Sequence, residues 1–209
     1  MKIQQLIVGG MGVCCYIASC PATKKAAVID PGGDIPKILN VVRQGGLTVQ
    51  SIIATHSHPD HICGVAELKT ALPQVPFIMH KDEAAFLVNP EVDRYFAMFG
   101  MGKAPACDQT VSDGDRIAVG DEGFAVIHTP GHTPGGMCLL CGDDLLTGDT
   151  LFVQGIGRTD FPGGSFDQLM NSIQTRLFSL PEHTKIWPGH GYGGSQSTIG
   201  AEKRDNPFL

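Results

Sequence analysis

Four short apolar runs in this chain each lead to a histidine or an aspartate, and this pattern limits the folds available to it. The runs lie in VQSIIAT, FAVIH, DLLTG and TKIWP, and they precede His56, His132, Asp149 and His190. Short apolar runs bounded by Gly and Pro predict buried β-strands. Polar residues on loops that strands hold in place are typical of a binding site. The sequence therefore predicts a sheet edge that carries clustered His and Asp side chains.

The loop after the first run, THSHPDH, has the spacing H-x-H-x-D-H and contains His56, His58, Asp60 and His61. Neutral imidazole and carboxylate are both metal ligands, and His is the commonest of them. The alternative is a polar loop that happens to be rich in His. A chain with 8 His in 209 residues rarely produces this spacing by chance, so the pattern favours a metal site.

Three further motifs supply more candidate ligands. Each is weak alone, because a lone His in a Gly-rich turn is more often solvated and Asp in a turn is usually a turn former. The motifs are HTPGHTPGG with His132, LLTGDTLF with Asp149, and WPGHGYGG with His190. With the first loop they provide five His and two Asp, which is enough for two metal ions. His80 and His128 are expected to be structural.

Elsewhere the pattern predicts alternating strands and helices. Strands are expected in IQQLIVG, CCYIAS, KAAVID, VPFIMH and DRIAVG, and a hairpin in GGMCLLCGDDLLTGD that turns at Gly142–Asp144. Helices are expected in DIPKILNVVRQ from Asp34, in GVAELKTALP, in KDEAAFLV, and in SFDQLMNSIQTRLFSLP with Ser165 as N-cap. The region 91–109 is predicted to be irregular.

Length and composition narrow the class of protein. A single domain spanning residues 1–209 is expected from the length. The net charge of −6, without a Lys/Arg cluster, argues against a nucleic-acid partner. No apolar stretch approaches the roughly 18 residues of a membrane span, and glycines interrupt the N-terminal apolar run, which favours strand–turn–strand over a signal peptide. Seven Cys without a disulfide-domain spacing fit reduced thiols, so a cytoplasmic protein without a membrane partner is expected.

The motifs THSHPDH, PGHTPGG, TGDTLF and PGHG, in this order, resemble those of the metallo-β-lactamase superfamily over essentially the whole chain. Within that superfamily the sequence is similar to the short, single-domain members of the glyoxalase II (hydroxyacylglutathione hydrolase) group. AVIDPGG, GIGRTDFPGG and TIGAEKRDNPFL carry this second resemblance. The resemblance implies an α/β protein folded as a four-layer αββα sandwich, with the site at one edge of its two sheets.

The resemblance also implies a role for each candidate ligand. It implies two divalent metal ions, with zinc expected first and iron or manganese also suited to these ligands. The first metal would be held by His56, His58 and His132, the second by Asp60, His61 and His190, and both by Asp149. A carboxylate suits the bridging position because it can give one oxygen to each cation and offset their charge.

Such a metal pair predicts a hydrolase. Two divalent ions that share a hydroxide activate it for attack on a carbonyl carbon. A thiolate leaving group needs little help from an acid, because thiols have a pKa of about 8.5. We therefore expect a metal-dependent thioesterase whose small-molecule substrate is S-lactoylglutathione or a related hydroxyacyl thioester. Asp60 is the candidate acid–base residue beside the metal-bridging hydroxide.

Supporting and substrate-binding roles are less constrained. Asp30 either orients the ligand loops as a hydrogen-bond acceptor or only forms the turn in DPGG. Arg158 either holds a substrate carboxylate or is a solvated loop residue. Tyr192 is expected to line the substrate pocket. Cys63 lies two residues after His61 and is expected to be near the site.

Departures from the glyoxalase II pattern leave other functions open. Two-domain members carry a C-terminal helical domain with glutathione contacts that this chain does not reach, and they have Lys and Tyr where this chain has Arg158 and Asp160. A persulfide dioxygenase is the main alternative. That family shares the GRTDF loop and uses one iron, here held by His56, His132 and Asp149. A β-lactamase or other amide hydrolase, and a metal-binding module without catalysis, are the remaining alternatives.

Overall fold

Two six-stranded β-sheets form the centre of the structure. The computed structural model describes residues 1–98, 100 and 104–209. The first sheet contains β1 (Lys2–Val8), β2 (Val13–Ser19), β3 (Lys25–Ile29), β4 (Thr48–Ile53), β5 (Phe77–His80) and β6 (Gln109–Val111). These strands lie in chain order across the sheet. Neighbours from β1 to β3 are antiparallel and neighbours from β3 to β6 are parallel.

The second sheet follows later in the chain. It contains β7 (Arg116–Val119), β8 (Glu122–His128), β9 (Met137–Cys141), β10 (Asp144–Gly148), β13 (Lys185–Pro188) and β14 (Ser197–Thr198). The spatial order is β14-β13-β10-β9-β8-β7. Only the pair of β10 and β13 is parallel within this sheet. A small hairpin of β11 (Leu151–Phe152) and β12 (Gly155–Ile156) lies between β10 and β13 in the chain.

Helices cover the outer faces of both sheets. They are α1 (Ile35–Gln44), α2 (Pro59–Ile62), α3 (Val65–Ala71), α4 (Lys81–Leu87), α5 (Pro90–Met98), α6 (Phe166–Asn171), which continues into a π-helical segment (Ser172–Leu177), and α7 (Ile199–Asp205). None of the helices in the described part of the chain has the length and apolar character needed to cross a membrane.

Three hydrophobic cores separate these elements into four layers. In β3, Ala26 and Val28 pack in the core beneath α1, α3 and α5, whereas Ala27 and Ile29 pack in the core between the two sheets. This alternation follows from the two-residue period of a strand. A third core joins the second sheet to α6, the π-helical segment and α7. The predicted four-layer αββα fold is therefore confirmed.

Helix α1 illustrates how the local sequence produces an element. Its buried residues Ile35, Ile38 and Val42 repeat at the spacing of one helix face. The helix begins after Asp34, as predicted, but the Asp34 side chain does not cap it. The carboxylate instead accepts a hydrogen bond from the backbone N–H of Gly9 at 3.0 Å, so it fastens the β1–β2 turn to the start of α1.

Most predicted elements are present, including the β9–β10 hairpin and the Ser165 cap, whose Oγ accepts from a backbone N–H of α6. The irregular region predicted at 91–109 is wrong in its first part, because α5 spans Pro90–Met98. Val92 and Phe96 lie four residues apart and are buried, which gives this short helix an apolar contact face. Residues 99 and 101–103 of that region lie outside the described residues. Helix α7 was also not predicted.

Candidate metal centre

The predicted ligands follow strands that end at one edge of the molecule. The H-x-H-x-D-H loop follows β4, and His132 lies in the β8–β9 connection. Asp149 and His190 follow β10 and β13, which are parallel neighbours, so the two residues emerge side by side. The two sheets are joined at this edge by hydrogen bonds from Cys14 N to the Gly189 carbonyl (2.8 Å) and from Met137 N to the Thr55 carbonyl (3.0 Å).

All seven predicted ligands come together in one cluster. They form three overlapping groups in which the nitrogen and oxygen atoms that can bind a metal lie within 4.8 Å of one another. The groups are His56, His58 and His132; His56, His61 and Asp149; and Asp60, His61 and His190. The first and third groups are the two sets that the resemblance implied for the first and second metals.

Three imidazoles are oriented by hydrogen bonds at Nδ1. His56 Nδ1 lies 3.1 Å from Thr55 Oγ1, and His61 Nδ1 lies 3.1 Å from Asp30 Oδ2. His132 Nδ1 lies 2.7 Å from the Arg158 carbonyl, which can only accept, so this nitrogen carries the proton. A hydrogen bond at Nδ1 leaves the lone pair of Nε2 free to bind a metal, which is the usual arrangement of metal-binding histidines.

Several buried atoms of the cluster lack a hydrogen-bond partner among the described residues. They are His56 Nε2, His132 Nε2, Asp149 Oδ1 and His190 Nδ1. An unpaired buried polar atom is costly and therefore rare. Two of the four belong to Asp149 and His190, whose other side-chain atoms already face neighbouring ligands. A cation at the centre of the cluster would supply partners for the free Nε2 of His56 and His132 and for Asp149 Oδ1. The donor set of imidazole and carboxylate fits a divalent metal.

The carboxylate of Asp149 spans the two ligand groups. Its Oδ1 lies 3.4 Å from His61 Nε2, and its Oδ2 lies 3.6 Å from His132 Nε2. Gly189 leaves the space that this carboxylate needs, because a Cβ on residue 189 would lie 2.1 Å from Asp149 Oδ1. The position fits a bridging ligand.

Burial and charge set opposite protonation tendencies within the cluster. Burial, together with the neighbouring imidazoles, holds the pKa of His56 and of His58 well below the usual value, so these rings are neutral and ready to ligate. Burial also opposes protonation of His61, but the carboxylates of Asp149 and Asp60 outweigh it and raise its pKa to about 10. The second group therefore attracts positive charge strongly.

The buried carboxylate of Asp30 supports the ligand loop from below. It accepts hydrogen bonds from Thr55 N and Thr55 Oγ1, both at 2.7 Å, and contacts His61 Nδ1. Thr55 Oγ1 in turn contacts His56, so one carboxylate orients a histidine of each ligand group. This geometry favours the loop-orienting interpretation of Asp30 over that of a simple turn former.

A second buried carboxylate, Glu83, was not identified from the sequence. It is fully buried and accepts from Ser57 N (2.7 Å), Ser57 Oγ (2.5 Å) and Gly135 N (2.8 Å). Ser57 separates His56 from His58, and Gly135 lies in the loop that carries His132, so Glu83 joins two ligand loops. The sequence feature that could have revealed it is the spacing within α4. Glu83 lies four residues before Leu87, so both side chains lie on the same, buried face of the helix.

Aromatic side chains surround the mouth of the centre. Tyr192 is 70% exposed and its ring stacks on His190 at 4.7 Å between centroids. Tyr95 and Phe161 each lie 5.5 Å from the His58 ring and were not predicted as site residues. Arg158 lies over the Phe161 ring and lines the cleft next to the centre together with Tyr192.

The remaining candidates lie outside the cluster. Cys63 is exposed, and its thiol donates to the Gly32 carbonyl. His80 and His128 stack almost parallel at 4.0 Å, and His128 Nε2 contacts the Pro134 carbonyl. With Asp82 they form a group whose possible ligand atoms lie within 4.8 Å of one another. However, His80 Nδ1 already accepts from Asp82 N and His128 Nε2 already contacts a carbonyl, so the hydrogen bonds around these two nitrogens support the structural role that was expected.

A family model described as the metallo-β-lactamase superfamily matches residues 8–200. The chain belongs to the metallo-β-lactamase superfamily. Its fold and its grouped His and Asp side chains make it a metallo-hydrolase of that superfamily with a divalent-metal centre. Hydroxyacylglutathione hydrolase GloC of Haemophilus influenzae is 35% identical over 195 residues, which cover 89% of this chain and 88% of that protein.

Solved structures of this superfamily match the whole fold. The BLEG-1 B3 metallo-β-lactamase has a TM-score of 0.89 and 32% identity, covering 100% of this chain and 99% of that one. TTHA1623 in a di-iron-bound form has a TM-score of 0.85 and 32% identity, covering 99% and 100%. ETHE1 from Myxococcus xanthus has a TM-score of 0.83 and 34% identity, covering 99% and 84%. These neighbours carry different names, so the fold alone does not decide the substrate.

Proposed function

We propose that this protein is a dinuclear metal-dependent thioesterase that hydrolyses S-lactoylglutathione or a related hydroxyacyl thioester. The observation that carries the proposal is the complete second ligand group, Asp60, His61 and His190, assembled beside the first. The identity to hydroxyacylglutathione hydrolase GloC supports the same reaction class. Zinc is the metal proposed first, and iron or manganese suits the same ligands.

The chain's own residues hold and orient the reacting groups. Divalent ions held here supply a nucleophile by lowering the pKa of bound water, and they polarise the substrate carbonyl. Asp60 Oδ2 lies 3.2 Å from His190 Nε2, and its side chain is 14% exposed, so it reaches both the ligand cluster and solvent. We assign Asp60 the proton transfers that accompany attack. Tyr192 and Arg158 line the adjacent cleft where the substrate would lie.

The acidic side chains that line this cleft indicate which leaving group the site can release. Among its described lining residues, Asp149 is the only carboxylic acid, and it is a ligand candidate. Amide or β-lactam cleavage has to protonate a poor nitrogen leaving group. A thiolate leaves without such help, because the pKa of a thiol is about 8.5. Asp60, to which we assign the proton transfers of attack, is not among these lining residues, so the lining supports thioester hydrolysis over amide hydrolysis.

Hydrolysis of S-lactoylglutathione, followed as release of free thiol, tests the proposal. We expect activity that is lost with a chelator and restored by zinc or another divalent metal. We also expect metal analysis of replete protein to give close to two ions per chain. At most one ion per chain would contradict the dinuclear centre, and no thiol release from any hydroxyacyl thioester would contradict the thioesterase.

A persulfide dioxygenase remains the second candidate, because the GRTDF loop lies directly beside the cluster, with the Arg158 carbonyl bonded to His132. In that case one iron would be held by His56, His132 and Asp149. An oxygen-electrode trace of the iron-loaded protein with glutathione persulfide separates the two. Persulfide-dependent oxygen uptake without thioester cleavage would establish the dioxygenase instead.

A further inference from the structure

A cleft of about 410 Å³ opens against Asp149 and leads away from the metal centre. Apolar side chains and glycine backbone form most of its lining, including Phe152, Ile156 and Phe208. Its polar side chains besides Asp149 are Gln154, Arg158 and Tyr192. Because the cleft begins at the centre, it can accommodate one half of a bound thioester, and we place there the half that leaves as the thiol, which is the larger half of a lactoyl thioester.

The one basic side chain among these lining residues is already neutralised. Arg158 Nε donates to Asp160 Oδ1 at 2.7 Å, and its terminal nitrogen donates to Asp160 Oδ2 at 2.6 Å. The guanidinium also lies 3.8 Å above the centroid of the Phe161 ring. The hydrogen bonds from Arg158 lower the pKa of Asp160 to about 2, so the acid is ionised at neutral pH. The edge of the guanidinium formed by Nε and one terminal nitrogen is therefore taken by Asp160, and a substrate carboxylate would have to compete with that acid for Arg158.

Glutathione is poorly matched to such a cleft. The tripeptide carries two carboxylates and one ammonium group, and moving a charge into an apolar cleft is costly without an opposite charge to receive it. An amide, in contrast, needs only a hydrogen-bond partner.

Neutral hydrogen-bonding groups are present in the same lining. Gln154 has a left-handed backbone (φ 54°), and its N–H donates to Glu202 Oε2 at 2.8 Å, so its position at the cleft is fixed. Its side-chain amide is exposed and both donates and accepts hydrogen bonds. The Tyr192 hydroxyl adds a second such group.

We infer that this cleft selects thioesters whose thiol half is uncharged and carries amide groups, as an acylated cysteamine does, over thioesters of glutathione. The inference rests on the proposed thioesterase function and narrows its substrate class. It assigns Asp160 a specificity role, because Asp160 keeps Arg158 from receiving a carboxylate.

The direct test uses one acyl group on two thiols. Lactoyl-N-acetylcysteamine and S-lactoylglutathione are compared as substrates of the metal-loaded full chain. We expect kcat/KM to be about tenfold higher for the cysteamine ester. Equal values, or a preference for the glutathione ester, would overturn the inference and leave the thioesterase standing. If neither ester is cleaved, both the thioesterase proposal and this inference are wrong.

Asp160→Asn tests the cause of the preference. The substitution removes a negative charge and weakens the hold on Arg158, so the ratio of the two kcat/KM values should shift at least threefold toward the glutathione ester. Glu182→Gln is the matched control, because Glu182 forms an exposed ion pair with Arg204 and does not line the cleft. A ratio that moves equally in both variants, or in neither, would contradict the role assigned to Asp160.

Discussion

Replacing Glu83 by Gln tests whether a buried carboxylate holds the metal loops in register. One Glu83 oxygen accepts from Ser57 N and Ser57 Oγ, and the other accepts from Gly135 N. A Gln side chain keeps an oxygen for Ser57, but its NH₂ group then faces the Gly135 N–H, and two donors cannot bond. The substitution therefore loses one bond to a charged group and leaves two buried donors unpaired.

The expected cost follows from these contacts. A hydrogen bond to a charged group contributes about 1.5–3 kcal/mol, and an unpaired buried donor costs about 1–3 kcal/mol. Because the cost of an unpaired donor already contains its lost bond, we expect the two unpaired donors of Glu83→Gln to lower the free energy of unfolding by roughly 2–6 kcal/mol. Loss of a residue that supports ligand loops also typically weakens metal affinity by about 10- to 100-fold.

Denaturant unfolding of the apo- and metal-loaded protein gives the change in stability. Competition with a chromophoric chelator gives the change in metal affinity. Glu67→Gln is the matched control, since Glu67 also lies in the first turn of a short helix but is exposed. We expect that control to change stability by less than about 0.5 kcal/mol. A Glu83→Gln variant within 1 kcal/mol and threefold of wild type in these measurements would refute the loop-holding role.

Three further outcomes follow from the same geometry. Asp149→Ala should reduce both metal content and kcat/KM more than loss of any single ligand histidine, because it removes a ligand from both metal positions. Activity within a few-fold of wild type would disprove the bridging role of Asp149. Asp30→Asn should be milder, with about a 10- to 100-fold loss of metal affinity in the same competition assay. Gly189→Ala should lower metal content, since its Cβ would lie 2.1 Å from Asp149 Oδ1; unchanged metal analysis would contradict this.

The metal ligands could be predicted from the sequence because ligand chemistry restricts both residue type and spacing. His56, His58, Asp60 and His61 lie within six consecutive residues after one strand, so their proximity follows from the sequence itself rather than from the fold. His132, Asp149 and His190 each follow an apolar run, and the parallel pairing of β10 with β13 then places the last two together. The positions at which strands end in the sequence therefore predicted most of the ligands of the metal centre.

The supporting contacts could not be predicted in the same way. Glu83 binds residues that lie 26 positions before it and 52 positions after it, and only the packing of α4 between two loops creates these bonds. Helix α5 was missed because, among its described side chains, only Val92 and Phe96 are buried, which is a weak periodic signal. For Arg158, the sequence left two interpretations open, and the pairing with Asp160 depends on the loop conformation.

Charge balance connects the supporting carboxylates to the number of metals. Two divalent cations and the hydroxide they would share carry a net three positive charges, and the ligands Asp60 and Asp149 would offset two of them. Asp30 and Glu83 are buried beneath the same loop, bonded to Thr55 and Ser57 on either side of His56, and as acceptors of several donors they add two further negative charges. A single iron held by His56, His132 and Asp149 would leave these carboxylates in excess, which is costly in a buried site. The carboxylates around the loop are therefore better matched by two divalent ions than by one.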